Sequence, residues 1–139
     1  MAEFDWGDYL SFAQEIEADK LFASYPDLKQ AAYRTAISRA YYSVFHQAKD
    51  FAEFKMGTKF SKKGVHNLVV GFYRITWSQY LDSSYSANCK IIRDRLIRMK
   101  RAREKADYNC VSIFDQTSSV TKAILDAYDL LEVLEKPSK

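Results

Sequence analysis

Turn-forming residues are scarce in this 139-residue chain, with four Gly and two Pro. That scarcity argues against sandwiches and barrels, which need a turn roughly every ten residues, and favours long helices. Cysteine is scarce as well. Cys89 and Cys110 stand 21 positions apart with no Cys-x-x-Cys pair. Neither a disulfide framework nor a zinc site is expected, and both read as idle reduced thiols of a cytoplasmic protein. No apolar run approaches the roughly 18 residues of a membrane span. The opening MAEFDWGDYL carries three acids and no basic n-region, unlike a signal peptide. No Gly-rich phosphate loop or Gly-x-Ser-x-Gly occurs, and neither His46 nor His66 has metal-ligand spacing with acids or thiols. No metal and no cofactor are expected.

What is present is ordinary for a globular protein: 47% apolar and 28% charged residues, with ten Tyr and nine Phe to fill a core or an interface. The length suits one domain over residues 1–139. The net charge of +3 conceals a strong segregation. Residues 1–25 hold six acids against Lys20, whereas residues 90–105 hold eight bases against Asp94 and Glu104. From residue 106 onward the chain is acidic again, with six acids and three bases. Such a basic middle can bind an anionic polymer, or be neutralised by acidic helices packed antiparallel to it.

Periodicity predicts five helices. The first runs from Trp6 to Phe22, with Tyr9, Phe12, Ala13 and Ile16 at helical spacing. The second runs from Asp27 to Lys55, just after Pro26, which suits a first helical turn. A Lys-rich loop from Gly57 to Gly64 precedes a third helix, Val65 to Trp77, with a stripe of Val65, Leu68, Val69, Phe72 and Ile75. Ser83 to Ser86 reads as a turn able to cap a fourth helix, Ala87 to Tyr108. After Asn109 to Asp115, a fifth helix carries Val120, Ile124, Tyr128, Leu131 and Leu134 until Lys136-Pro137. Short connections make this an all-α antiparallel bundle.

Two faces bear on function. On the second helix Ile37, Tyr41, Val44, Phe45, Ala48 and Ala52 form a core stripe, and Arg39, Ser43, His46 and Asp50 form a polar row opposite. That row is either solvated or faces a functional or subunit groove. On the fourth helix Ile92, Leu96, Met99 and Ala106 form an apolar stripe, and Arg103 falls at its centre. Lys100 and Arg93 flank the stripe on one side and Arg95 on the other, and Asp107 lies one turn beyond Arg103. An unpaired buried guanidinium is too costly to keep, so Arg103 must be paired, snorkel or face a polar cleft. Either Arg103–Asp107 is a structural brace, whose loss would strand a buried carboxylate, or Arg103 opens into a groove and binds phosphate.

The stretch Ser38-Arg39-Ala40-Tyr41-Tyr42-Ser43-Val44-Phe45-His46, followed by Ala48-Lys49, resembles the second-helix signature of prokaryotic HEPN proteins (higher eukaryotes and prokaryotes nucleotide-binding). The run Arg103-Glu104-Lys105-Ala106-Asp107-Tyr108 resembles the Arg-x-x-Ala-Asp-Tyr helix end of one small stand-alone branch of that family. The resemblance implies a helical bundle that dimerises around a polar groove. It further implies binding of nucleotide or RNA, in many members metal-independent ribonuclease activity, and a minimal nucleotidyltransferase partner in toxin–antitoxin pairs.

The ribonuclease members carry a His four to six residues after the helix-end Arg. Here Tyr108 stands after four intervening residues, and no His lies beyond His66. Histidine moves protons near neutral pH, whereas tyrosine, with a pKa near 10, does not. The candidate catalytic set is therefore Arg103 for phosphate, Tyr108 as a hydrogen-bond donor, and His46 as a substitute base if it faces the same groove. Arg39, Lys100, Arg103 and Asp107 are the candidate nucleotide- or RNA-binding residues. The alternative is a non-catalytic dimerisation or protein-interaction module.

Overall fold

The computed structural model describes residues 4–18, 26–55, 57–79, 84–108 and 116–135. Those residues form five helices: α1 (Gly7–Ala18), α2 (Pro26–Lys55), α3 (Val65–Gln79), α4 (Ser84–Tyr108) and α5 (Gln116–Glu135). Among the described residues there is no strand, so the all-α expectation holds. Helix α4 begins at Ser84, which draws Ser84 to Ser86 into the helix rather than leaving them as a turn. The expected helix end at 19–22, the 109–115 connection with Cys110, and Lys136-Pro137 lie outside the described residues. Cys89 is a buried free thiol, and burial pushes its pKa up to about 11.

Four helix ends have a visible local cause. Asp5 caps α1 by accepting the Gly7 N–H at 2.8 Å on its Oδ1. Beyond α2, Gly57 takes a φ of 72°, and the Thr58 N–H donates to the Ala52 carbonyl at 3.2 Å. Gly64, at φ 69°, opens α3 by offering its carbonyl to the Leu68 N–H at 3.1 Å. At the end of α4, Arg34 of α2 donates through Nη1 to the Lys105 and Ala106 carbonyls at 3.2 and 2.8 Å. A cation there satisfies terminal carbonyls and complements the helix dipole.

Helix α2 is the axis of the molecule, touching α1, α4 and α5 along its 30 residues. Ala32, Ala36, Ala40, Ala48 and Ala52 are buried on it, and these small side chains let three neighbours approach closely. Tyr41, Val44 and Phe45 fill the space between them. The polar row is not a solvated face: Ser43 is wholly buried, and Arg39, His46 and Asp50 are half-buried. Helix α1 covers it, with Trp6 stacked on His46 at 3.5 Å and Tyr9 under the Arg39 guanidinium at 4.6 Å.

Contacts along each pair set the directions. Residues 14 and 17 of α1 meet 128 and 121 of α5 through Gln14–Tyr128 and Thr121–Glu17 hydrogen bonds, an antiparallel register. Arg95 and Arg98 of α4 meet Asp129 and Asp126 of α5 in the same sense. Helix α3 is the exception in direction. Tyr41 meets His66, and the Tyr73 hydroxyl donates to the Ala48 carbonyl at 2.6 Å, so α3 runs parallel to α2. The connection must therefore travel back along the outside of α2, roughly 20 Å from its end to the level of Tyr41 at 1.5 Å per residue. The extended segment from Gly57 to Gly64 does this, anchored by Phe60 edge-on against Phe72 at 5.8 Å.

Three expected core residues lie outside the core. Phe12 is 52%, Leu68 43% and Tyr128 47% exposed. On α5 the buried face is turned toward Ala123, Ala127 and Leu130, because small residues permit close approach to α2. Tyr128 is left at the edge, where its hydroxyl accepts from Gln14.

Two changes test this packing. Ala40→Leu should lower the unfolding free energy by about 1–3 kcal/mol through overpacking, measured by urea denaturation. Asp126→Ala should cost about 2–3 kcal/mol by leaving the Arg95 and Arg98 guanidinium groups without their shared carboxylate.

Candidate functional site

Most of the charge segregation is absorbed inside the fold. Arg98 donates to both oxygens of buried Asp126, at 2.8 and 2.6 Å, and Arg95 lies 3.4 Å from Asp129. Arg93 pairs with Asp94 at 2.6 Å, and Lys100 pairs with Glu104 at 3.0 Å. Antiparallel packing of acidic α5 on basic α4 thus pairs Arg95 and Arg98, while carboxylates of α4 itself pair Arg93 and Lys100. A groove of about 560 Å³ lies between α2, α4 and α5, with Ile37, Met99 and Ala123 in its lining beside Arg101, Lys105 and Lys122. None of the candidate catalytic or nucleotide-binding residues lines it.

Arg103 is different. It projects from α4 toward α2 and is only 7% exposed. Three tyrosines surround it: the guanidinium carbon lies 5.4 Å from the Tyr41 ring centroid, 5.6 Å from Tyr42 and 5.8 Å from Tyr108. Cation–π attraction of this kind is worth about 0.5–2 kcal/mol per ring, more where water is excluded. Its polar partners are weak. Nη1 donates to the Tyr108 hydroxyl at 3.4 Å, the long limit of such a bond, and lies 3.7 Å from the Asp107 carboxylate. Nε is buried with no hydrogen-bond partner among the described residues.

The expected Arg103–Asp107 pair therefore exists, but as a loose contact at a helix end. The Asp107 side chain is 29% exposed, so removing Arg103 would not strand a buried carboxylate as the brace reading expected. Asp107 instead ties Arg103 to α2: the Ser38 hydroxyl donates to it at 3.4 Å, and Arg39 Nη2 donates to that hydroxyl at 3.2 Å. Arg39 also lies 4.9 Å from the Tyr42 centroid. Arg39, Arg103, Asp107 and Tyr108 accordingly converge on one patch around Tyr42.

His46 borders this patch, its ring facing Tyr42 at 6.3 Å, but does not reach Arg103 among the described residues. It is held face to face under Trp6, with Phe45 edge-on at 5.1 Å. Burial, then the Lys49 charge, then His66 lower its pKa to about 4. The histidine that reaches the Arg103 site is His66, in the first turn of α3. Its Nδ1 shares a 2.7 Å hydrogen bond with the Tyr41 hydroxyl, and its ring stacks on Phe45 at 4.1 Å. Burial, followed by the charges of Arg103 and Lys100, lowers the His66 pKa, and Glu104 acts against them. Burial raises the pKa of Tyr41, which the Arg103 charge only partly offsets, so its phenol stays protonated.

Sequence reasoning assigned Tyr41 to the core and gave His66 no site role. The available signal was Tyr41 itself, because a tyrosine at the centre of a core stripe needs a partner for its hydroxyl. Nothing in the spacing of residues 41 and 66 identifies that partner.

The folded-state pKa of His46 near 4 lies below its unfolded value near 6.5, so the unfolded chain takes the proton first. Its contribution to stability is complete above about pH 6.5 and declines as pH falls toward 4. Urea unfolding compared at pH 7 and pH 5 should show a shallower loss in His46→Gln than in the parent protein. Equal losses would mean that the imidazole is as well solvated as in the unfolded chain.

Comparison of the chain with protein-family models, curated proteins and solved structures gives no match to any of them.

Proposed function

We propose that this chain is a HEPN-like nucleotide- and RNA-binding module, acting as a homodimer beside a minimal nucleotidyltransferase partner of the toxin–antitoxin type. The observation that carries the binding part is Arg103. Its guanidinium is buried, loosely paired, and keeps an Nε–H with no acceptor among the described residues. Leaving a buried donor unmet costs about 1–3 kcal/mol, more on a charged group. A fold that keeps such a group at the centre of a tyrosine cage is suited to a ligand that supplies the acceptor, and a phosphate oxygen matches a guanidinium well.

The surrounding residues favour nucleic acid over a bare anion. Tyr108 offers an exposed aromatic ring at the mouth of the cluster, on which a base can stack. Arg39 stands across Tyr42 from Arg103 and provides a second cation for an adjacent phosphate. The geometry supports binding ahead of cleavage. A metal-independent ribonuclease mechanism on Arg103, Tyr108 and His46 needs His46 at the phosphate, whereas Trp6 stacks on its ring and its low pKa makes it a weak base.

Fluorescence anisotropy with single-stranded RNA provides the test. Arg103→Ala should weaken binding at least tenfold, and Arg103→Lys should fail to restore it, because an ammonium lacks the planar fork. Helical content should remain unchanged in both variants. RNA affinity that is absent in the parent protein, or equal in all three, overturns the reading. Light scattering should give twice the chain mass, and co-expression with the adjacent gene's product should yield a stable complex if that product is a minimal nucleotidyltransferase.

A further inference from the structure

The residue that the geometry adds to this site is His66, and its placement points to a specific coupling. Three helices converge on it. Helix α2 contributes Tyr41, bonded to Nδ1 at 2.7 Å, with Tyr42 edge-on at 5.8 Å and His46 within electrostatic reach. Helix α4 contributes Arg103, Lys100 and Glu104. Phe45 covers one ring face at 4.1 Å, so the imidazole is held in one orientation. Its other nitrogen, Nε2, has no hydrogen-bond partner among the described residues.

We propose that His66 is the proton-linked member of the Arg103 phosphate site, neutral when the site is empty and protonated when an RNA phosphodiester occupies it. This rests on the RNA-binding reading of Arg103 given above. In the empty site, Arg103 and Lys100 oppose a third positive charge, and Glu104, the carboxylate that acts on His66 among the described residues, is already tied to Lys100 at 3.0 Å. The groups from α2 are two neutral phenols and a His46 that stays uncharged down to about pH 4. A phosphodiester on Arg103 brings a negative charge to the same cluster and reverses the sign of the field at His66.

The Tyr41 contact suits both states. A phenol hydroxyl donates to the bare Nδ1 of neutral imidazole, and its oxygen accepts from the Nδ1–H of imidazolium. The ring can thus gain its proton without moving. By linkage, a ligand that raises the His66 pKa binds more tightly as pH falls through that pKa, and binding takes up a proton from solution. The neutral ring already carries its hydrogen on Nε2, so protonation adds the Nδ1–H that donates to Tyr41 and places a positive charge within electrostatic reach of Arg103 while the phosphate is in place.

The probe is oligouridylate of about eight nucleotides without terminal phosphates. Its backbone charge and bases do not titrate between about pH 5.5 and pH 8. In the parent protein at constant ionic strength, affinity should fall roughly tenfold from about pH 6 to pH 8. Calorimetry in buffers of different ionisation enthalpy should register close to one proton taken up near the lower end. His66→Gln should bind with flat pH dependence, at the weaker affinity that the parent shows at high pH. NMR titration of the parent's His66 ring should show its pKa rising when RNA is added, which keeps the proposal testable should His66→Gln fail to fold.

Arg103-dependent binding with identical pH profiles for the parent and His66→Gln, or an unmoved His66 resonance at saturating RNA, overturns this coupling and leaves the RNA-binding reading standing. No binding by the parent, or binding indifferent to Arg103→Ala, overturns both.

Discussion

Burial of one long helix on nearly every side is the constraint from which the rest follows. A 30-residue helix whose neighbours lie on three flanks cannot keep a purely solvated face, so its polar side chains must find partners inside the fold. Each of them does so locally. The Tyr41 hydroxyl bonds His66, the Ser43 hydroxyl accepts from Gln47 at 3.0 Å, and Ser38 bridges Arg39 and Asp107. The alanines that allow this enclosure also set its geometry, because they bring α4 close enough for Arg103 to reach the tyrosines of α2. Function and packing are therefore parts of one arrangement here, with the polar cluster occupying a gap that apolar side chains leave open.

The electrostatics divide in two. Arg98 faces α5 and meets Asp126 in a tight bidentate pair, and Arg95 lies 3.4 Å from Asp129 in a looser one, which is what an acidic helix packed antiparallel on a basic one produces. Arg103 faces the other flank of α4 and meets aromatic rings and hydroxyls in place of a close carboxylate. A ring quadrupole attracts a cation without neutralising it, so Arg103 retains most of its charge and part of its donor capacity. The modest net charge of the chain says little about this, since what matters is which cations have been matched and which have not.

Some of the site was legible along the chain. Arg103 stood out as a charge at the centre of an apolar stripe, and Asp107 and Tyr108 follow from its position on the same helix. Arg39 was legible as a member of the polar row on α2, although the row proved to be enclosed by Trp6 and Tyr9 and not solvated. The choice between the two histidines was not legible. Residues 39 and 46 share a face on α2, which favoured His46, yet α1 claims that face near Trp6. Residue 66 meets Tyr41 and feels the Arg103 charge only because the Gly57–Gly64 segment carries the chain back along α2 before α3 begins. Helical periodicity reports which residues share a face and carries no information about which neighbour covers it.

The same distinction holds for the whole molecule. The sequence by itself determined an all-helical chain of five helices, since the spacing of apolar residues and the placing of Gly and Pro act through local geometry. It also determined that Arg103 had to be accommodated somewhere other than bulk solvent, because a helix places that residue among core positions whatever surrounds it. Only the tertiary structure decided what accommodates it. A parallel α3, an aromatic lid from α1 and an antiparallel α5 are long-range choices, made by close packing of small residues and by the path of one extended connection. Those choices place Tyr41 and His66 beside Arg103 and leave His46 enclosed under tryptophan.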